Sequence, residues 1–471
     1  MTVVAGIDSS TQSTKIEWRN LDSGAVVGCG SAAHPVTTPP RSEQDPESWW
    51  NAFIETWKSG PAHPTTAISV AGQQHGMVTL DALDQVIRPA KLWNDTESSA
   101  DADWLIKQLP GGASDWAQAC GSVPVAAFTV SKLSWLHRNE PHNWERVAKV
   151  LLPHDWMTYR LSGGFVTDRG DASGTGYWSP FANSYRYDLL EIIDNDRDWV
   201  GSLPTVLGPL DSAGEWHGAV VGPGTGDNMA AALGLGLQPG DVMMSFGTSG
   251  TVFTVAPQPT SDSSGAVAGF ADASGHYLPL VCTLNATKVT DAIARLLGVD
   301  HAGFDALALA QPLGAGGLCL LPYLDGERTP NRPTSSGLLG GLRSNVTREQ
   351  LARASVAGVV CGMLEGFDAL QAQVGGLRRV IMVGGGSRSA AYRQTLADLS
   401  ELDVFVADAE QAVSTGACVQ AAAVLDQVAP SEIAQRWGLG GGVCVERSPN
   451  IGPDQIAEVR DRYAQLRNLQ Q

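Results

Sequence analysis

The sequence predicts an α/β fold built from two similar parts. Strand-length apolar runs alternate with helical patterns along the chain. A tight turn of small hydroxyl residues between two apolar runs occurs twice, near residue 10 and near residue 248. A chain of 471 residues exceeds one ordinary core, so two or three domains are expected.

The strand-length runs are TVVAGID at 2–8, TTAISVAG at 65–72, DVMMSFG at 241–247 and RRVIMVGGG at 378–386. Between the first two, DPESWWNAFIETWKSG reads as a helix with Asp45 as N-cap and Gly60 as its stop. Pro46 suits the first helical position, where the N–H it lacks would be unpaired anyway. Trp49, Trp50, Phe53, Ile54 and Trp57 recur at helical spacing, so these tryptophans are expected in the core and not against a ligand. Further on, TREQLARASVAGVVCGMLEGFDAL opens with a capping box, in which Thr347 and Gln350 each satisfy a backbone N–H of the other.

The two turns are GIDSSTQSTKIEW at 6–18 and SFGTSGTVFTV at 245–255. Each reads as a β-hairpin, and hairpin chemistry alone explains either one. Two of them, each opening its own α/β part, suit similar domains facing each other across a cleft. Both turns would then present backbone N–H groups to one ligand as an anion nest.

Composition excludes several classes. With 43% hydrophobic and 17% charged residues the chain is expected to be globular, and a net charge of -18 without any basic run argues against nucleic acid. The start MTVVAGIDSS has no basic segment followed by an apolar one, and no run of about 18 apolar residues suggests a membrane span. A cytoplasmic protein is expected. Seven dispersed cysteines without a C-x-x-C pair suit reduced, mostly buried thiols.

Six stretches bear chemistry. In DSSTQSTK, Asp8 ends the first strand, where a carboxylate suits hydrated Mg2+, and the N–H groups and hydroxyls of Ser9, Ser10, Thr11 and Gln12 suit a phosphate. An Asx-type turn explains the same residues without a ligand, and Lys15 lies either near the phosphate or on the strand surface. GTSG at 247–250 supplies glycine for close approach by a phosphate. GGGSRS at 384–389 lies between a strand and a helix containing Tyr392, which suits a nucleotide, though without the G-x-G-x-x-G spacing of a dinucleotide site. AGQQHG at 71–76 offers donors and acceptors that suit a polyol, and LWND at 92–95 adds an aromatic face. A lone histidine is more often structural, and a strand end with a turn explains LWND without a ligand. In GTGDNMAA at 224–231, Asp227 stands between a glycine turn and an alanine-rich helix, as an N-cap or as a catalytic acid.

Together these stretches resemble the FGGY family of carbohydrate kinases. The likeness runs in order through GIDSSTQSTK, SEQDPESWW, AGQQHG, LWND, LLPHDWMTYRLSG, TDRGDASGTGYW, GTGDNMAAALGLG, SFGTSG, LPYLDGERTPNRP, GLLGGLRSNVTREQLARASVAGV and VGGGSRS. It implies a two-domain actin-like, ribonuclease H-like sugar-kinase fold with a cleft between the domains. Residues 1–223 are expected to form the sugar-binding domain and 224–471 the nucleotide-binding domain. The implied reaction is phosphorylation of D-xylulose to D-xylulose 5-phosphate with ATP and Mg2+.

By the same likeness Asp227 is the catalytic base and Asp8 the acid near the metal. Gln74, His75, Trp93, Asn94 and Asn228 join Asp227 on the sugar side. Ser10, Thr11, Gln12 and Lys15, with Gly247, Thr248, Ser249, Gly384, Gly385, Gly386 and Ser387, match the ATP side. Two departures fall on the sugar side: Gln74 stands where the family pattern has Met, and Thr96-Glu97 where it has Gly-Arg. A kinase of ribulose, arabitol, glycerol or gluconate, a non-kinase actin-like ATP-binding protein and a sugar sensor are the competing readings. A homodimer stays open.

Overall fold

The computed structural model describes residues 1–409 and 411–470. They divide into two compact units, Met1–Gln238 with Val255–Pro279 and Ala409–Gly440, and Pro239–Thr254 with Leu280–Asp408 and Gly441–Gln471.

In the first unit the strands are β1 (Val3–Ser9), β2 (Ser13–Asn20), β3 (Val26–Ala33), β4 (Thr65–Gly72), β5 (Gly214–Trp216) and β6 (Ala219–Val221). They lie in the order β5-β6-β4-β1-β2-β3. β1 runs antiparallel to β2, with Asp8 opposite Lys15, and parallel to β4, with Asp8 opposite Ala71. Because β1 and β4 are central and covered on both faces, they are apolar nearly throughout.

Helix α1 (Pro46–Trp57) covers one face. Asp45 caps it by accepting from Glu47 N at 3.0 Å, and Pro46 sits in its first turn, as the sequence suggests. Its stripe packs Trp49 and Phe53 against Ile7, Ile68 and Val70 of the sheet and Trp156 of helix α2 (Pro153–Ser162). Burying each such side chain stabilises by about 1.5–3 kcal/mol; Trp49 and Phe53 are core, as expected, whereas Trp50, Ile54 and Trp57 are half-buried at its edge. On the other face the helix Ala412–Asp426 lays Cys418 and Ala422 on Val4 and Ala67.

The second unit repeats the plan. Its strands are β7 (Asp241–Phe246), β8 (Gly250–Thr254), β9 (Tyr277–Thr283, from Leu280 onward in this unit), β10 (Arg379–Val383), β11 (Val404–Ala407) and β12 (Gly442–Val445). Read from β3 and from β9, the orders are β3-β2-β1-β4-β6-β5 and β9-β8-β7-β10-β11-β12. Every matching pair has the same direction in both sheets. The echo of two hairpins in the sequence is therefore an echo of topology. The capping box also forms: Thr347 Oγ1 accepts from Gln350 N at 3.3 Å and Gln350 Oε1 from Thr347 N at 3.0 Å, opening the helix Arg348–Val374. Among the described residues no helix is long and apolar enough to cross a membrane.

Candidate functional site

Three backbone segments leave the first sheet at one end. Ser9 at the end of β1 pairs with Gly72 at the end of β4, and the short strand Thr225–Gly226 runs parallel beside Ala71 and Gly72. The turn at 10–12, the segment Gln73 to His75 and Asp227 thus emerge together at the carboxyl ends of parallel strands, where open α/β sheets gather ligands.

Asp227 is the first residue of helix α3 (Asp227–Gly234), and Gly226 occupies the cap position. The N-cap reading is corrected here: the carboxylate Oδ1 accepts from Asn228 N at 2.8 Å and Asn228 Nδ2 at 3.0 Å and closes no cap. Burial, reinforced by the negative charge of Asp8, raises its pKa from the usual carboxylate range to about 7. Asp8 is itself raised by burial, against the opposing pull of the Ser10 hydroxyl, which donates to its Oδ1, and of Lys15, 4.0 Å from its Oδ2.

Of the residues expected on the sugar side, Asn228 and Gln74 are tied to Asp227. Asn228 Nδ2 donates to Gln74 Oε1 at 2.6 Å, and Gln74 Nε2 to Met229 Sδ at 3.2 Å. His75 is buried at φ 63°, a backbone conformation costly for a residue with a Cβ, and its ring lies between Phe128 and Phe270. Trp93, 42% exposed, donates its indole N–H to Thr11 Oγ1 at 2.9 Å, and that hydroxyl donates to Gln73 Oε1 at 3.2 Å. Three buried polar atoms of these segments, Ser9 Oγ, Gln73 Nε2 and Asn94 Oδ1, have no hydrogen-bond partner among the described residues. Such atoms suit a hydroxylated ligand. Gln12 is exposed, and its carbonyl accepts from His34 N at 2.7 Å.

Sequence reasoning gave no role to His154, Asp155, Asp168 and Asp171, although all four stand in the stretches quoted above. The wholly buried His154 lies within 3.1–3.4 Å of carboxylate oxygens from all three acids. The D-x-x-D spacing of Asp168 and Asp171 after a His-Asp pair was the available signal.

In the second unit Ser245 of β7 pairs with Val383 of β10, so the turns that follow them are neighbours. Gly247 N bonds to Ser249 O at 3.1 Å, and Gly247 O and Thr248 O accept from Thr287 N at 2.8 Å and Ala286 N at 3.2 Å, which anchors this turn to the start of the helix Thr287–Leu297. Gly384 and Gly386 press on Phe246, while Ser387 Oγ donates to Gly384 O at 2.8 Å. A Cβ on Gly385 would meet nothing within 4 Å. Exposed backbone on two adjacent turns suits phosphates, which need N–H donors at close range.

For a cation, Asp8 offers one buried carboxylate beside the hydroxyl-rich turn, a donor set that fits Mg2+ keeping most of its water. Glu43, Asp95 and Glu97 also lie close enough together to share an ion. Their centre is instead filled by the Lys91 ammonium, 3.3 Å from Glu43 and 3.1 Å from Asp95 and bonded to Glu97 as well.

The chain matches the FGGY family of carbohydrate kinases, N-terminal domain, over residues 3–234 and the C-terminal domain over residues 242–425. A xylulose kinase of Streptomyces rubiginosus is 44% identical over 94% of this chain and 92% of its own length. Among solved structures, a xylulose kinase from Bifidobacterium adolescentis superposes with a TM-score of 0.88 at 38% identity, covering 99% of each chain. A gluconate kinase from Lactobacillus acidophilus reaches 0.90 at 22% identity over 99% of this chain and 98% of its own, a likeness of fold alone.

Proposed function

The chain belongs to the FGGY family of carbohydrate kinases, and on that premise we propose that it transfers the terminal phosphoryl group of ATP to D-xylulose, giving D-xylulose 5-phosphate and ADP. The observation that carries this reading is Asp227: an acid raised to about 7, beside Gln74 and Asn228 at the sheet end, is poised to take a proton near neutral pH. The choice of sugar is supported by relatives named xylulose kinase at 44% and 38% identity.

In this mechanism Gln74, His75, Trp93, Asn94 and Asn228 hold the sugar with its 5-hydroxyl toward Asp227. As that oxygen bonds to the γ-phosphorus, its proton passes to the Asp227 carboxylate and the bond to the β-phosphate oxygen breaks. A proton acceptor placed in this way contributes about 10²–10⁴ in rate. In the first unit the N–H groups of Thr11 and Gln12, with Lys15, and in the second those of Thr248, Ser249, Gly385 and Gly386 offer donors to nucleotide phosphates, while the N–H groups of Ser10, Gly247 and Ser387 are bonded within their own turns. Mg2+ held at Asp8 would supply charge compensation to those phosphates. The Thr11 hydroxyl, bonded to Trp93 and Gln73, works on the sugar side. A cytoplasmic setting agrees with seven free cysteines.

The test is ADP release with a panel of D-xylulose, D-ribulose, arabitol, glycerol and gluconate. D-Xylulose is expected to give the highest kcat/KM. A glycerol or gluconate value about tenfold above it would defeat the choice of sugar and leave the kinase.

A further inference from the structure

His154 lies on α2 with its Nε2 facing Asp155 Oδ1 at 3.1 Å, Asp168 Oδ1 at 3.4 Å and Asp171 Oδ2 at 3.4 Å. Carboxylates so far from water need a cation or donors to remain ionised. Each acid also has a second task. Asp155 Oδ2 accepts from Leu152 N at 2.8 Å, at the start of its own helix. Asp168 accepts from the N–H groups of Gly170 and Asp171 at 2.9 Å and, through Oδ2, from the Thr225 hydroxyl at 2.7 Å. Asp171 Oδ1 accepts from His75 N at 3.4 Å and stands 3.8 Å from His75 Nδ1. One imidazole therefore touches both the acid that ties down Thr225, two residues before Asp227, and the acid beside His75.

We propose that His154 is a positioning residue for the sugar: through Asp168 it fixes the turn from Thr225 to Asp227, through Asp171 it fixes His75, and so it sets sugar affinity without touching the substrate. This rests on the reading of His75 and Asp227 as sugar-side residues. Burial alone would strip the His154 proton, but Asp155, Asp168 and Asp171 outweigh it and raise the pKa to about 9. Burial also pushes the Asp155 and Asp171 carboxyls up, against the pull of His154, so the ring and these acids hold a proton between them at neutral pH. Gly72 and Gly224, packed on its other sides, bring no charge. Tyr177, whose hydroxyl feels Asp155 and Asp171, is raised by burial and stays protonated, and Asp227 lies beyond Asp171.

The test compares the unaltered chain with His154→Gln and His154→Lys, using ATP and the best sugar of the panel. His154→Gln is expected to raise KM for the sugar about tenfold or more with KM for ATP within about twofold, and His154→Lys, which restores a cation, to recover most of the loss. An unchanged sugar KM in His154→Gln overturns the proposal. So does an equal rise in both KM values that Lys does not rescue, since that marks a general loss of structure.

Should His154→Gln fail to fold, calorimetry of sugar binding to the unaltered chain from pH 7 to pH 10 decides the matter, as about 9 is where the ring loses its proton. Affinity is expected to weaken through that range, and constant affinity overturns the proposal. Failure of the kinase reading is seen separately, as no ADP release from the unaltered chain with any sugar.

Discussion

The Asn228 side-chain amide donates to Gln74 Oε1 at 2.6 Å, tying the segment after β4 to the start of the helix that begins with Asp227. Methionine, the residue the resemblance leads one to expect here, has no amide oxygen, so this tie needs the glutamine. Gln74→Met removes the acceptor while Asn228 keeps its bond to Asp227. A lost neutral hydrogen bond is worth about 1 kcal/mol, so KM for D-xylulose should rise roughly fivefold with ATP kinetics unchanged. Steady-state kinetics with each substrate varied checks it, and an unaltered sugar KM would show that the bond does not shape the site.

Thr11 and Thr248 sit in matching hairpin turns but should behave differently. The Thr11 hydroxyl is bonded to Trp93 and Gln73, whereas Thr248 is exposed on the second turn. Thr11→Val should raise KM for the sugar more than KM for ATP, and Thr248→Val the reverse, each by about three- to tenfold. The same direction of change in both variants would contradict this division of labour.

Gly174 gives His75 its place. A Cβ at Gly174 would stand 2.0 Å from His75 Cε1 and 2.2 Å from Nδ1, so alanine must push the ring aside. Because displacements of about 1 Å can cost 10²-fold, Gly174→Ala should lower kcat/KM for the sugar by about that factor. Nucleotide binding, measured by calorimetry, should survive, and a variant with parental sugar kinetics would remove His75 from the site.

The proton affinity of Asp227 predicts both a rate profile and a stability effect. Only its carboxylate form accepts a proton, so kcat/KM for the sugar should fall as pH drops through about 7. Its folded pKa is raised, so folding loses stability as pH rises from the ordinary carboxylate range through about 7. Asp227→Asn should therefore melt higher than the parent at pH 8, a gain in stability at the expense of activity. A parental melting temperature at pH 8 would contradict the burial argument.

Local pattern carried much of this fold. The run at 65–72 became Thr65–Gly72, the capped stripe after Asp45 became Pro46–Trp57, and the Thr347 capping box formed, because each depends on neighbours within a few residues. The matching topology of the two sheets was foreshadowed by the two hairpins. Contacts set by tertiary folding were hidden. Trp93 reaches Thr11 from 82 positions away, and His154 meets Asp168 and Asp171 only because α2 packs beside the 168–172 turn. The return of 255–279 and 409–440 to the first unit likewise has no local signal. The cap at Asp227 was misplaced by one residue because Gly226 and Asp are both acceptable caps, and β-pairing of Thr225 and Gly226 decided between them.

Turnover of Asp227→Asn decides whether this acid is the base. Among the described residues the carboxylate closes no cap and its side-chain hydrogen bonds go to Asn228, so the amide replaces it without disturbing the helix start. The variant should fold, bind ATP and D-xylulose with parental affinity by calorimetry, and lose about 10²-fold or more in kcat in a coupled ADP assay. Turnover within about threefold of the parent, with binding intact, would contradict a base at Asp227.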